Sequence, residues 1–83
     1  MTLLYFAWVR QKIGKSEEAI ALPGDVRDVR GLIGHLARLG PGYGEALGEE
    51  SRIRVAVNQC HVGFDAAIAD GDEVAFFPPV TGG

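Results

Sequence analysis

The chain is poor in cysteine, in basic charge and in long apolar runs. A single cysteine, Cys60, among 83 residues excludes an internal disulfide and any zinc or iron–sulfur site built from several cysteines. Lysine and arginine number 8 against 11 aspartates and glutamates, for a formal net charge of −3. That balance does not suit a polyanion, so nucleic acid is not an expected partner. The longest unbroken apolar stretch, Leu3 to Val9, falls far short of the ~20 residues that span a bilayer, and no membrane partner is expected. No charged segment followed by a long apolar one opens the sequence, which makes the cytoplasm the expected location. The two histidines, His35 and His61, have no carboxylates at ligand spacing, so no metal site is expected. No Ser-His-Asp or paired-carboxylate arrangement can be argued from so few polar residues.

What remains is globular: 47% apolar and 23% charged residues, enough for one small domain. Thr2 to Val9 is rich in aromatic and aliphatic residues and reads as a strand. A turn at Gly14-Lys15-Ser16 leads to a second strand over Glu17 to Leu22. Asp25 is the expected N-cap of a helix whose apolar face is Val26, Val29, Leu32, Ile33, Leu36 and Leu39, stopped by Gly40-Pro41. Gly31 and Gly34 inside it imply tight packing or a weak helix, at about 1 kcal/mol each. Residues 40–51 read as a long loop in which Tyr43 and Leu47 pin a short helical turn. Strands follow at Ile53 to Val57, Cys60 to Phe64 and Glu73 to Phe77, with turns at Asn58-Gln59 and Asp70-Gly71-Asp72. Pro78-Pro79 ends the last strand by removing two backbone donors. The expected order is β-β-α-β-β-β: an α+β domain over residues 1–79, one main helix on one face of a mixed sheet. Its first and last strands pair in parallel through the crossover. Residues 80–83 are left as a flexible tail.

Most polar residues read as ordinary. Cys60 is expected to be a small buried hydrophobe, since only His61 beside it offers a cation. The Gly40 to Gly44 loop lacks the Lys-Ser/Thr of a phosphate-binding loop. Asp65, Asp70, Asp72 and Glu73 lack calcium-loop spacing and read as solvated turns. The end of the chain admits two readings. Gly82-Gly83 is either a frayed terminus or a narrow lead to a reactive α-carboxylate. From Pro78 an extended tail reaches about 20 Å, enough to enter another protein's active site. With a pKa of about 3.5 the carboxylate is anionic and able to attack an activated phosphate. No nucleotide site is evident in the chain, so activation falls to a separate ATP-using enzyme, and no cofactor is expected to be bound.

The run from Asp70 through Glu73-Val74-Ala75-Phe76-Phe77-Pro78-Pro79-Val80-Thr81-Gly82-Gly83 closely resembles the C-terminal signature of the small subunits of molybdopterin synthases. Leu4-Tyr5-Phe6-Ala7, Val9-Arg10 and Ala56-Val57-Asn58-Gln59 resemble the same family of ubiquitin-like sulfur carriers. The resemblance implies a ubiquitin-like β-grasp fold and a sulfur carrier. In that family a ubiquitin-activating-like enzyme adenylates the terminal carboxylate, here Gly83, and sulfur then replaces one oxygen to give a thiocarboxylate. The tail, here Val80, Thr81 and Gly82, inserts into the large synthase subunit. There the sulfur passes to cyclic pyranopterin monophosphate and builds molybdopterin. The implied assembly is a heterotetramer with two large subunits, which carry the family's catalytic side chains.

Alternation in the first and last strands supports a docking face. If Tyr5 and Phe76 face the helix, Phe6 and Phe77 lie on the open face, with His61 flanking them and Pro78 following. The competing reading has residues 40–52 folded over that face. Three alternatives to the function stand beside the first: a thiazole-synthesis sulfur carrier, a ubiquitin-like protein modifier, and a binding module with an inert tail.

Overall fold

The computed structural model describes residues 1–79. Its elements are β1 (Thr2–Tyr5), α1 (Ala7–Ile13), β2 (Glu17–Ala19), α2 (Val29–Ala37), α3 (Pro41–Leu47), a 3-10 turn (Glu50–Arg52), β3 (Arg54–Val57), β4 (Cys60–Val62) and β5 (Glu73–Phe77). The strands form one sheet in the order β2-β1-β5-β3-β4. β1 and β5 pair in parallel, with Tyr5 opposite Phe76, and the other pairs are antiparallel. The expected parallel pairing of first and last strands is therefore present.

The first strand is half the expected length. It ends at Tyr5, and Ala7–Ile13 is a helix. Within the run Leu3 to Val9 the apolar period changes from two to about four: Leu3 and Tyr5 enter the core from the strand, then Val9 enters from the helix, with Ile13 one turn later packed against it. Strand propensity hid the change, because Phe6, Trp8 and Val9 suit either element. Gly14, at φ 91°, closes α1 in the left-handed region. Arg10 and Lys12 in its last turn favour the negative end of the helix dipole.

The main helix starts later than expected. Its cap is Asp28, whose carboxylate accepts the Gly31 N–H at 2.8 Å, and not Asp25. The Val29 and Arg30 N–H groups donate to the carbonyls of Ala66 and Phe64. Residues 64–66 thus satisfy donors that a helix start leaves free. The helix ends at Ala37, and Leu39 is 54% exposed instead of lying on the buried face. Its two glycines differ. A Cβ on Gly31 would stand 3.0 Å from the capping carboxylate of Asp28, while a Cβ on Gly34 would meet nothing.

Residues 40–52 fold into α3 and the 3-10 turn, beyond the short helical turn expected. Pro41 opens α3 at a position whose N–H has no helical partner to lose. Gly42 allows α3 to lie against the end of α1: a Cβ there would be 2.5 Å from the Lys12 carbonyl oxygen. Ala46, Leu47 and Ile53 join the core. This core lies between the sheet and all three helices. Leu3, Tyr5, Val55, Val74 and Phe76 form its sheet side, and the Tyr5 and Phe76 rings stack with centroids 6.3 Å apart. Residues 40–52 therefore thicken the helical layer and leave the opposite face of the sheet uncovered by it.

Candidate docking face and tail root

The uncovered face is set by strand alternation and register. In β5, Val74 and Phe76 are buried, so Glu73, Ala75 and Phe77 point the other way. Ala75 is level with Leu4 of β1 and Ala56 of β3, and Ala56 is level with His61 of β4. Phe77 is level with Arg54. Phe6 follows β1 and keeps the alternation, because its N–H donates to the Phe76 carbonyl at 3.1 Å. At Ala7, φ of 55° turns the chain from strand into helix, and Phe6 is left 48% exposed at that corner. A non-glycine residue in the left-handed region carries strain of about 1–3 kcal/mol. The Phe77 ring meets the His61 imidazole at 5.2 Å between centroids, tilted by 58°. The sequence-derived set Phe6, Phe77 and His61 is thus on one face, and Pro78, half-buried, continues from it.

The result is a floor of Leu4, Ala75 and Ala56 with Phe6 and Phe77 at one end and His61 at the β4 edge, its ring reaching Phe77. An exposed large aromatic beside small apolar neighbours is the composition of a partner site. Charge at this end is positive. Arg54 donates from Nη1 to the Ile53 carbonyl at 2.9 Å, and it has no carboxylate partner among the described residues. Arg52 lies 4.9 Å over the Trp8 ring. The expected reactive Gly83 and the tail residues Val80, Thr81 and Gly82 lie outside the described residues.

Elsewhere the polar residues are structural. Asp72 accepts the Asn58 side-chain amide at 3.0 Å and the Ala69 N–H at 2.8 Å, and these bonds hold its carboxyl below the usual range. Asp70 accepts the Leu22 N–H at 2.8 Å and is lowered chiefly by that bond. The acidic stretch therefore ties loops together, and no group of three potential metal ligands occurs among the described residues. Cys60 corrects its expectation: it is exposed, since β4 is an edge strand with no element packed outside it. His35 lines a shallow cleft with Asp25 and Arg38, away from the docking face.

Sequence reasoning missed one cluster. The Glu18 Oε2 accepts the hydroxyls of Tyr5 and Tyr43, each at 2.7 Å, while Lys15 Nζ donates to Oε1 at 3.4 Å. Burial alone would raise the Glu18 pKa, but the hydrogen bonds from Tyr43, Tyr5 and Lys15 outweigh it and hold the carboxyl below its ordinary value. Burial, and then the bond to Glu18, push the Tyr5 phenol upward. Glu18 lies in a polar run, and nothing local marks it as the residue that joins β1, β2 and α3.

A mixed five-stranded sheet with its helices on one face, ending in a strand that leads to Gly-Gly, is the ubiquitin-like β-grasp architecture. Solved structures agree. SAMP1 of Haloferax volcanii superposes with a TM-score of 0.76 at 28% identity, over 100% of this chain and 98% of that one. A putative molybdopterin converting factor subunit 1 from Pyrococcus furiosus gives 0.69 at 33% identity, over 95% of each chain. The fold is also found in a complex of subunits 1 and 2 of molybdopterin-converting factor from Helicobacter pylori, with a TM-score of 0.64 at 23% identity over 99% of this chain and 96% of that one.

The chain belongs to the ThiS family, whose model matches residues 3–83. Its relatives include the molybdopterin synthase sulfur carrier subunit of Escherichia coli, 44% identical over 98% of this chain and 96% of that protein. The subunit of the same name from Haemophilus influenzae is 41% identical over 100% and 99%. No helix among the described residues is long and apolar enough to cross a membrane.

Proposed function

We propose that this chain is the sulfur carrier of a molybdopterin synthase, acting through the carboxylate of Gly83. The observation that carries the reading is the full-length match to the E. coli sulfur carrier subunit, at 44% identity. The face left uncovered by the helices, which runs from Ala75 through Phe77 to Pro78 and ends at the exposed Phe6, supports it.

The chemistry begins with an anionic Gly83 carboxylate. One of its oxygens attacks the α-phosphate of ATP in a ubiquitin-activating-like enzyme, and pyrophosphate leaves. The acyl-adenylate so formed is an electrophile, which the free carboxylate is not. A sulfide-equivalent donor attacks its carbonyl carbon, AMP departs, and a thiocarboxylate remains. The sheet face then docks on the large synthase subunit, and Val80, Thr81 and Gly82 carry the sulfur to cyclic pyranopterin monophosphate. Glycine at the last two positions allows passage where a Cβ would not fit. The sulfur forms a C–S bond to the pterin side chain as a C–O bond there breaks, and water hydrolyses the resulting thioester, which frees the carrier as a carboxylate and leaves the sulfur on the pterin. Nothing in this sequence requires a bound cofactor for these steps. The large subunit is the expected partner because a two-subunit converting-factor complex is known for the H. pylori fold relative, and the heterotetramer is part of the same proposal.

The test is the intact mass of the chain after incubation with ATP, sulfide and its activating enzyme. The expected gain equals one oxygen replaced by sulfur and vanishes when Gly83 is deleted, with the melting temperature unchanged. An unmodified chain beside a demonstrably active enzyme refutes the reading. A second reading, a protein modifier, is favoured by the likeness to SAMP1, a small archaeal modifier protein. Isopeptide conjugates to lysines of other proteins, in place of sulfur transfer to the pterin, would establish it.

A further inference from the structure

We infer that Ala7 is a positioning residue for docking: its left-handed backbone holds Phe6 out at the corner of the sheet, ready for the large subunit. This role rests on the docking proposed above. Two consecutive residues at the corner depart from what local stability favours. Phe6 occupies the N-cap of α1 and makes no side-chain cap bond there. Serine, threonine, aspartate or asparagine at that place would accept a helical N–H and stabilise the helix start. Ala7 then takes φ 55°, a conformation that glycine and asparagine enter readily and alanine does not. Its side chain is exposed, so no packing contact demands the methyl group. Departures from local preference of this kind gather at functional sites.

The backbone of Phe6 serves two elements. Its N–H donates to the Phe76 carbonyl at 3.1 Å and continues the sheet, while its carbonyl accepts the Arg10 N–H at 3.4 Å and opens the helix. The side chain has no comparable anchor, because Phe6 is 48% exposed. Its direction follows from the backbone at residues 6 and 7. β1 ends at Tyr5 and Val9 is already in the core, so the reversal from strand to helix falls on Ala7. Glycine would make the same reversal without strain, but it would free the backbone around it. Alanine keeps the corner restricted, and an aromatic held in place before binding loses less freedom when it binds.

Isothermal titration of the full-length carrier with its large subunit tests this, with Ala7→Gly and Ala7→Asn as variants. Both relieve the strain, and both are expected to raise Tm by about 2–8 °C. Ala7→Gly is expected to raise Kd about three- to tenfold, the effect of one side chain left to be ordered on binding. It should also speed hydrogen exchange at the Phe6 amide while exchange in the core strands slows, which a residue with a purely structural role would not do. Ala7→Asn is expected to leave Kd unchanged, because asparagine settles in the left-handed region. An unchanged Kd in Ala7→Gly, with the gain in Tm present, would overturn the inference. Equal losses of affinity in both variants would do the same, since the methyl group itself would then be the contact. Wild-type affinity in Phe6→Ala would remove Phe6 from the interface and overturn it as well. Failure of the wild-type carrier to bind a folded large subunit would instead overturn the docking proposal.

Discussion

Replacing Glu18 by alanine removes the one acceptor shared by two tyrosines. Hydrogen bonds to a charged group contribute about 1.5–3 kcal/mol each, and a buried donor left without a partner loses the full benefit. Tyr5 is 1% exposed, so its hydroxyl has less access to water than that of Tyr43. Tyr43 is partly buried and exchanges most of its bond for one to water. The Lys15 contact is long and exposed and contributes little. The expected cost of Glu18→Ala is therefore about 3 kcal/mol, most of it from Tyr5. For a domain of this size that lowers Tm by roughly 12–24 °C. Urea denaturation followed by circular dichroism measures the cost directly. The double mutant with Tyr5→Phe isolates the pair, and a coupling of about 1–2 kcal/mol is expected. The pH dependence has a definite sign. Because the folded carboxyl is held below its unfolded value, its contribution is fully present above the ordinary glutamate range. It is lost as pH falls through the lower, folded value, so the gap between wild type and Glu18→Ala should close in acid. A cost under 1 kcal/mol, or zero coupling to Tyr5, would refute the argument that this carboxylate joins the elements.

Gly34→Ala should stabilise the domain by about 1 kcal/mol in thermal melts, since its Cβ meets nothing, whereas Gly31→Ala should not, because Asp28 is in the way. Gln59→Gly should also stabilise, by about 0.5–1 kcal/mol in the same assay: Asn58 and Gln59 sit at φ 50° and 70°, as a type I′ turn requires, and Gln59 pays the steric cost. Phe77→Ala should weaken binding of the large subunit more than tenfold in calorimetry while costing little in Tm, because its ring is on the open face. Unchanged affinity with a much less stable domain would place Phe77 in the core instead.

Much of this was legible along the chain. The parallel pairing of β1 with β5 followed from the crossover connection of the whole chain, whereas the Asn58-Gln59 hairpin and the open face of Phe6 and Phe77 rest on local turn chemistry and on the period of two within a strand. These local signals need only a few consecutive residues. The errors fell where local signals were ambiguous. Phe6 to Val9 suits strand and helix equally, and the choice was made by Val9 and Ile13 packing inward from a helix. Asp25 and Asp28 are both good caps, and the choice went to Asp28 because residues 64–66 meet the helix start there. Cys60 reads as a core residue until the strand order puts β4 at an edge.

The sequence by itself determined the fold class, the family and the chemistry proposed for Gly83, because a Gly-Gly end and an apolar strand leading to it are properties of consecutive residues. Only the tertiary structure decided what lies on which side of the sheet. It moved residues 40–52 to the helical layer, brought Glu18 between Tyr5 and Tyr43, and placed His61 against Phe77. These are contacts between residues far apart in the chain. Their energies depend on burial and on neighbours across the sheet, which no local stretch of sequence encodes.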